Sequence, residues 1–287
     1  MLPDEEHFVK EGPTDLIAWE FLVYSLLQDS LDFPTVCERI LDSPERQNKG
    51  LLLHSVICFR DIFHEEDGPG LPPPLEPFSY VSTAFCVSHL IRYLRFMHCC
   101  GVLHRDVHPG NVGLLCAPSS SLPTNMKEVE VLVEQGYLFT PTFIDYEWST
   151  WASFHPRLHD MPIMAAWSYL SDRVLREPGV YSPADDLESL AYTLLEFRLG
   201  GELPWSLEIE AKASSYDYDV ESVEHRDFVI KTRTRYLEET SAVSRSLERI
   251  EKCLLDFIKY ARSLGRKDII DYRKWEHTFQ NSMADHV

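Results

Sequence analysis

The sequence predicts an α+β fold in two lobes, a small N-terminal one and a larger, mainly helical one. Three observations carry this. Apolar stripes at helical spacing dominate the chain after residue 80. Short β-rich runs fall mostly before it. Between the two regions, Asp67-Gly68-Pro69-Gly70-Leu71-Pro72-Pro73-Pro74 is too dense in glycine and proline for regular structure. The expected lobes are residues 1–76 and 77–287.

Taken in order, Pro13-Thr14-Asp15 offers a helix start with Thr14 as cap, and residues 14–28 read as an amphipathic helix. Leu16, Trp19, Val23 and Leu27 mark one face, and Glu20 lies on the same face. A carboxylate in an apolar stripe is costly unless it is partnered or reaches water. Residues 36–41 and 51–59 read as strands, with a loop over 43–50. Residues 80–100 predict a helix whose face is Ala84, Val87, Ile91, Leu94 and His98, ended by Gly101. A short apolar run follows at 112–115, then a Ser/Pro-rich turn region at 117–127 and a β-rich run at 137–145. Ser182-Pro183-Ala184-Asp185 opens another helix, with a cap, a proline in the first turn and an acid at the third position. Leu187, Leu190, Ala191 and Leu194 form its buried face, and Gly200-Gly201 stops it. From about Thr232 the pattern is helical, with a stripe of Leu247, Ile250, Leu254, Phe257, Ile258 and Ala261 closed by Gly265.

The chain has 287 residues and is 44% hydrophobic, which suits a folded domain with a real core. Its formal net charge of −19 repels phosphate backbones and argues against nucleic-acid binding. The seven cysteines form no C-x-x-C pair, as expected of a reducing compartment. Cys99-Cys100 reads as two small packing residues at a helix end, or else as a redox pair. The N-terminus is acidic and lacks the apolar core of a signal peptide. The most apolar stretch, 84–103, carries His89, Arg92, Arg95 and His98 and is too polar to span a membrane. The expectation is an intracellular protein of the cytoplasm or nucleus, without a membrane partner.

The motif richest in chemistry is His104-Arg105-Asp106-Val107-His108-Pro109-Gly110-Asn111. It resembles the H-R-D-x-x-x-x-N catalytic loop of protein kinases. Phe143-Ile144-Asp145-Tyr146-Glu147 sits where kinases carry D-F-G. Asp185-Asp186-Leu187-Glu188-Ser189-Leu190-Ala191-Tyr192 is similar to the D-D-L-E-S-L-G-Y run of the casein kinase one family. Leu199-Gly200-Gly201-Glu202-Leu203-Pro204-Trp205 resembles that family's N-L-G-S-L-P-W. Phe257-Ile258-Lys259-Tyr260-Ala261-Arg262-Ser263-Leu264 and Asp271-Tyr272 resemble its closing helices. The vaccinia-related kinases share these features. Five motifs in order thus fall within residues 80–280.

The resemblance implies a protein kinase-like two-lobe fold with a reduced N-lobe that lacks the Gly-rich hairpin. It implies ATP and Mg²⁺ as cofactors and a protein substrate bearing a Ser or Thr hydroxyl. Asp106 would orient the attacking hydroxyl and take its proton, and Arg105 would bridge toward the activation segment. Asn111 and Asp145 would hold Mg²⁺ through oxygen donors. Asp145 follows Asp106 by 39 residues, a long spacing that the Ser/Pro-rich stretch accounts for as an insertion. Lys10 and Glu20 would form the lysine–glutamate pair that holds ATP, and Asp186 would bond the catalytic-loop backbone. Three departures weaken catalysis: His108 replaces a lysine, Glu147 replaces the D-F-G glycine, and the hairpin is missing. They favour an alternative, a pseudokinase acting as a binding module for a regulatory protein partner. A third reading is a small-molecule phosphotransferase, since His104, Asp106, His108 and Asn111 satisfy H-x-D-x-H-x-x-N. A zinc site on His104 and His108 is disfavoured, because Pro109-Gly110 interrupts any helix there. Trp148, Trp151 and Trp167 read as packing residues rather than a ligand cage.

Overall fold

The computed structural model describes residues 8–28, 37–42, 48–53, 56–58, 80–116, 139–152, 167–200, 203–214, 222–242 and 249–284. The fold is α+β and mostly helical. The chain divides into two compact units, one of residues 1–73 with 109–149, the other of 74–108 with 150–287. Among the described residues no helix is long and apolar enough to cross a membrane.

In the first unit, β1 (Phe8–Pro13) leads into α1 (Thr14–Gln28), then β2 (Cys37–Asp42), β3 (Asn48–Leu53) and β4 (Val56–Cys58). The sheet order is β1-β3-β2, antiparallel throughout. The expected loop over 43–50 is shorter than the composition suggests, because β3 begins at Asn48. As the central strand it pairs Asn48 with Pro13 on one side and Lys49 with Asp42 on the other. Hydrogen bonding on both edges outweighs the local polarity of Asn48-Lys49-Gly50. The expected strand over 51–59 is divided between β3 and β4, which belong to different sheets. Helix α1 begins at Thr14 itself, so Thr14 is inside the helix rather than its cap. Ile17, Glu20, Val23, Tyr24 and Leu27 are buried on it. After a short 3₁₀ turn (Pro109–Asn111), β6 (Val112–Cys116) pairs with β4 and with β7 (Phe139–Phe143), giving the order β4-β6-β7. The Gly/Pro-rich break and the Ser/Pro-rich stretch lie outside the described residues.

In the second unit, α2 (Tyr80–Cys99) buries the face read from its spacing: Ala84, Val87, Ile91 and Leu94 are inaccessible to solvent. Gly101 ends it at φ 79°, a conformation open to glycine without strain. β5 (Val102–Leu103) pairs with β8 (Thr150–Trp151). The short α3 (Asp172–Arg176) is capped by Ser171, whose Oγ accepts the Val174 N–H at 3.1 Å.

Helix α4 (Pro183–Leu199) follows. Asp185 accepts both the Ser182 N–H and the Ser182 hydroxyl at 2.7 and 2.8 Å, and Gly200 closes the helix in the left-handed region at φ 68°. α4 is buried on nearly every side. Helices α5 (Ser206–Ala213), α6 (Val223–Ala242), α7 (Arg249–Ser263) and α8 (Tyr272–Ala284) complete the unit. α6 starts well before Thr232, where Ser222 Oγ accepts the His225 N–H at 3.1 Å. Its buried positions alternate Val229 and Leu237 with His225, Thr232 and Arg233, so the apolar stripe is interrupted. Phe257 of α7 packs against Trp275 and Phe279 of α8, with ring centroids 5.1 and 5.8 Å apart.

A buried ionic network joins these helices. Arg233 is fully buried, donates to the Leu170 carbonyl at 2.7 Å and to Asp172 Oδ1 at 3.0 Å, and lies 4.4 Å over the Tyr192 ring. Arg262 also engages Asp172, and Arg173 bonds Asp185 at 2.9 Å and approaches Glu188 to 3.0 Å. Burial, with Asp172 nearby, pushes the Glu188 carboxyl above its ordinary range. Cys99 is exposed, so of the two vicinal thiols it is not a packing residue; Cys86 is buried and its thiol is pushed up to about 12.

Candidate active site

The residues singled out from the sequence fall into two groups, one in each unit. In the first unit, Asn111 and Asp145 are brought together by the β6–β7 ladder. Val112 is opposite Phe143, and the Ile144 N–H donates to the Asn111 carbonyl at 3.0 Å. Two oxygen-bearing side chains 34 positions apart therefore start from adjacent backbone. Asn111 is buried and Asp145 half-buried. Asp145 has φ 62°, a left-handed conformation that a non-glycine residue holds at a cost of about 1–3 kcal/mol. Such strain persists only where surrounding bonds impose it.

Helix α1 imposes it here. The Asp145 N–H donates to the Tyr24 hydroxyl at 3.2 Å, and the Tyr146 N–H donates to Glu20 Oε1 at 3.1 Å. The Trp19 indole N–H reaches the Ser149 carbonyl and Oγ, each at 3.1 Å. Tyr24 and Tyr146 meet edge to face, with centroids 4.8 Å apart. Burial, reinforced by the Glu20 charge, holds the Tyr24 phenol well above its ordinary pKa, so it stays protonated. Glu20, the anomalous carboxylate of the apolar stripe, is 1% exposed and does not reach water. The backbone of Lys10 lies in β1 opposite Leu51. Its side chain is outside the described residues, and so is the expected Lys10–Glu20 pair.

In the second unit, the loop after β5 carries Arg105, Asp106 and His108. Asp186 of α4 grips its backbone: Oδ2 accepts the His104 N–H at 2.8 Å and Oδ1 accepts the Arg105 N–H at 2.7 Å. His98 Nε2 lies 2.9 Å from the same Oδ2. Burial opposes ionisation of Asp186, yet these bonds prevail and hold its carboxyl below the usual range. Arg105 takes φ 72°. Among the described residues, Arg105 and Asp145 are the non-glycine residues with positive φ, and each sits in a motif the sequence had marked. The Arg105 guanidinium stacks 4.4 Å over the Tyr181 ring, in the segment leading into α4. His108 Nε2 is 3.5 Å from Asp106 Oδ2, with the two side chains 24% and 15% exposed. Asp106, His108, Tyr169, Leu170 and Ser189 line a small cleft. The wall formed by Tyr169 and Leu170 belongs to the segment that Arg233 clamps.

Sequence reading missed Tyr24 and Ser149, which help hold the segment around Asp145, and the roles of Trp19, His98 and Arg233. The signal for His98 was present, since a histidine ending an otherwise apolar helix face needs a polar partner. Trp167 packs edge-on to His225 at 4.7 Å, as a packing residue does. Among the described residues no group of three or more His, Cys, Asp or Glu is placed to hold a metal ion. The sequence matches no protein-family model and no curated protein.

Proposed function

We propose that the chain is a protein kinase-like phosphotransferase that moves the γ-phosphate of ATP to a Ser or Thr hydroxyl of a protein. The observation that carries this reading is the strained Asp145, bonded to α1 through its own N–H and that of Tyr146 and set beside Asn111. One carboxylate and one amide make a donor set that fits Mg²⁺, which takes few protein ligands and keeps phosphate oxygens and waters. Bound Mg-ATP supplies the phosphoryl group and neutralises its charge. Asp106 orients the hydroxyl and takes up its proton. His108, 3.5 Å away, sets the electrostatics of that carboxylate. Asp186 and Arg105 hold the loop that carries both.

A thermal-shift titration with Mg-ATP tests the nucleotide step. The parent protein is expected to be stabilised and Asp145→Ala is not; no shift in the parent would refute the reading. Transfer from labelled ATP to generic protein substrates is expected in the parent and absent in Asp106→Asn.

A second reading, a nucleotide-insensitive regulatory module, is favoured by Glu147. Its N–H donates to Asp145 Oδ1 at 3.4 Å, and its carboxylate adds negative charge two residues from the proposed metal ligand. Absence of transfer together with absence of the Mg-ATP shift would select it.

A further inference from the structure

Tyr272 is the first residue of α8, and its placement is specified by several contacts. Asp271 caps the helix, accepting the Lys274 N–H at 3.0 Å, and donates its own N–H to the Tyr260 hydroxyl at 2.8 Å. Trp275 and Phe279 anchor the next turns in the core, and Glu276 lies 3.5 Å from Arg95 of α2. The helix start is thereby fixed against the end of α2, where the Tyr272 hydroxyl meets Nδ1 of His98. The other ring nitrogen of His98 meets Asp186 Oδ2, the oxygen that also holds the His104 N–H. The His98 and Asp186 side chains are 4% and 3% exposed, so water does not compete.

The order of protons along this line follows from chemistry. Ionised Asp186 only accepts, so His98 Nε2 must donate. In the neutral ring Nδ1 is then an acceptor, and the Tyr272 hydroxyl is the group that fills it. Burial, with the Asp186 charge close by, raises the Tyr272 phenol far above its ordinary pKa and keeps that proton in place. Without the hydroxyl, the buried Nδ1 acceptor loses its donor, and the ring loses one of the two bonds that fix it against Asp186. The alternative tautomer would turn a lone pair toward the carboxylate that holds the loop.

We infer that Tyr272 is a positioning residue of the candidate active site, acting through His98 and Asp186 on the backbone of His104 and Arg105, and so on Asp106. The C-terminal helix is then a working part of the loop's support and a point from which the loop can be loosened. The inference extends the phosphotransfer reading but stands on geometry that does not depend on it.

Tyr272→Phe tests it, because the ring and its packing are kept. Amide exchange at His104 and Arg105 is expected to accelerate about five- to tenfold, the factor that one neutral hydrogen bond supplies. Amides of α4 and α7 are expected to keep their rates. The ¹⁵N shift of His98 Nδ1 should move, as for an acceptor that has lost its donor, while Nε2 keeps its proton toward Asp186. In a His98→Gln background the same substitution should add nothing further, since the line is already cut. Unchanged exchange at the two amides, an equal acceleration across α4, or additive effects in the double variant would each overturn the inference. If the parent transfers phosphate, Tyr272→Phe should lower kcat and leave KM for ATP in place; a raised KM at unchanged kcat would count against it. A parent without transfer refutes the phosphotransfer reading alone, and the exchange measurement still decides this one.

Discussion

Glu20 offers the sharpest test of how the Asp145 segment is held. Its carboxylate is 1% exposed and accepts the N–H of Tyr146, a residue with no solvent access. Glu20→Ala removes that acceptor and leaves a buried N–H to find another, a loss of about 1–3 kcal/mol. The truncated side chain also leaves a void beneath α1, so the total is about 2–4 kcal/mol. Glu20→Gln keeps a carbonyl oxygen of the same reach. It exchanges a charge-assisted bond for a neutral one, a difference of about 1 kcal/mol, while lifting the burden of a buried charge. The glutamine variant is therefore expected to lie within about 1 kcal/mol of the parent. Urea denaturation followed by tryptophan emission, alongside amide exchange at Tyr146, measures both. If Gln destabilises as much as Ala, the charge is what matters and the hydrogen bond to Tyr146 is not the support. If Ala leaves Tyr146 exchange unaltered, the argument that α1 imposes the strained Asp145 is refuted. A glutamine variant that keeps its stability but loses its Mg-ATP thermal shift would locate the charge's role in nucleotide binding.

Four further outcomes are expected. Arg233→Ala strips a buried Asp172 of a partner and frees the Leu170 and Trp167 carbonyls. It should cost about 3–5 kcal/mol in chemical denaturation, far more than a surface arginine. Asp186→Asn leaves at least one of the His104 and Arg105 N–H groups facing an amide donor. It should destabilise by about 2–4 kcal/mol and abolish any transfer, which denaturation and labelled-ATP assays would show. Its contribution also has a pH sign: the folded carboxyl lies below the unfolded value of about 3.9, so stability is present above about pH 4 and falls as pH drops through the folded value. His89 is held low by burial and by Arg92. Its folded form resists protonation while the unfolded chain takes the proton near pH 6.5, so melting temperature should decline below about pH 6.5. That decline should be shallower in His89→Gln. His108→Lys would place a fixed cation beside Asp106 and should raise, not abolish, phosphate transfer in a steady-state assay.

Much of this was legible from local pattern. The faces of α2 and α4 follow from apolar spacing, because burial of one side of a helix repeats in the sequence every three to four residues. The start of α4 at Ser182 and its end at Gly200 follow from cap chemistry that acts within one turn. Asp106, Asn111 and Asp145 stood out by motif, and Glu20 by being a carboxylate where apolar groups belong. α6 was only half legible, since His225, Thr232 and Arg233 share its buried side with Val229 and Leu237 and interrupt the apolar stripe. α3 and α5 are too short to show a period at all.

The residue sequence by itself determined the buried faces of α2 and α4 and the two ends of α4, and it marked a few residues as candidates for chemistry. Each of these depends on neighbours within a turn or two. The tertiary structure alone decided what those residues are held by. Glu20 meets Tyr146 across 126 positions, Trp19 meets Ser149 across 130, and Asp186 meets the loop of His104 and Arg105 across 82 and 81. It also returned residues 109–149 to the unit begun by residues 1–73. Such contacts are single hydrogen bonds between distant elements. They have no period and need no particular composition, so only the folded chain reveals them.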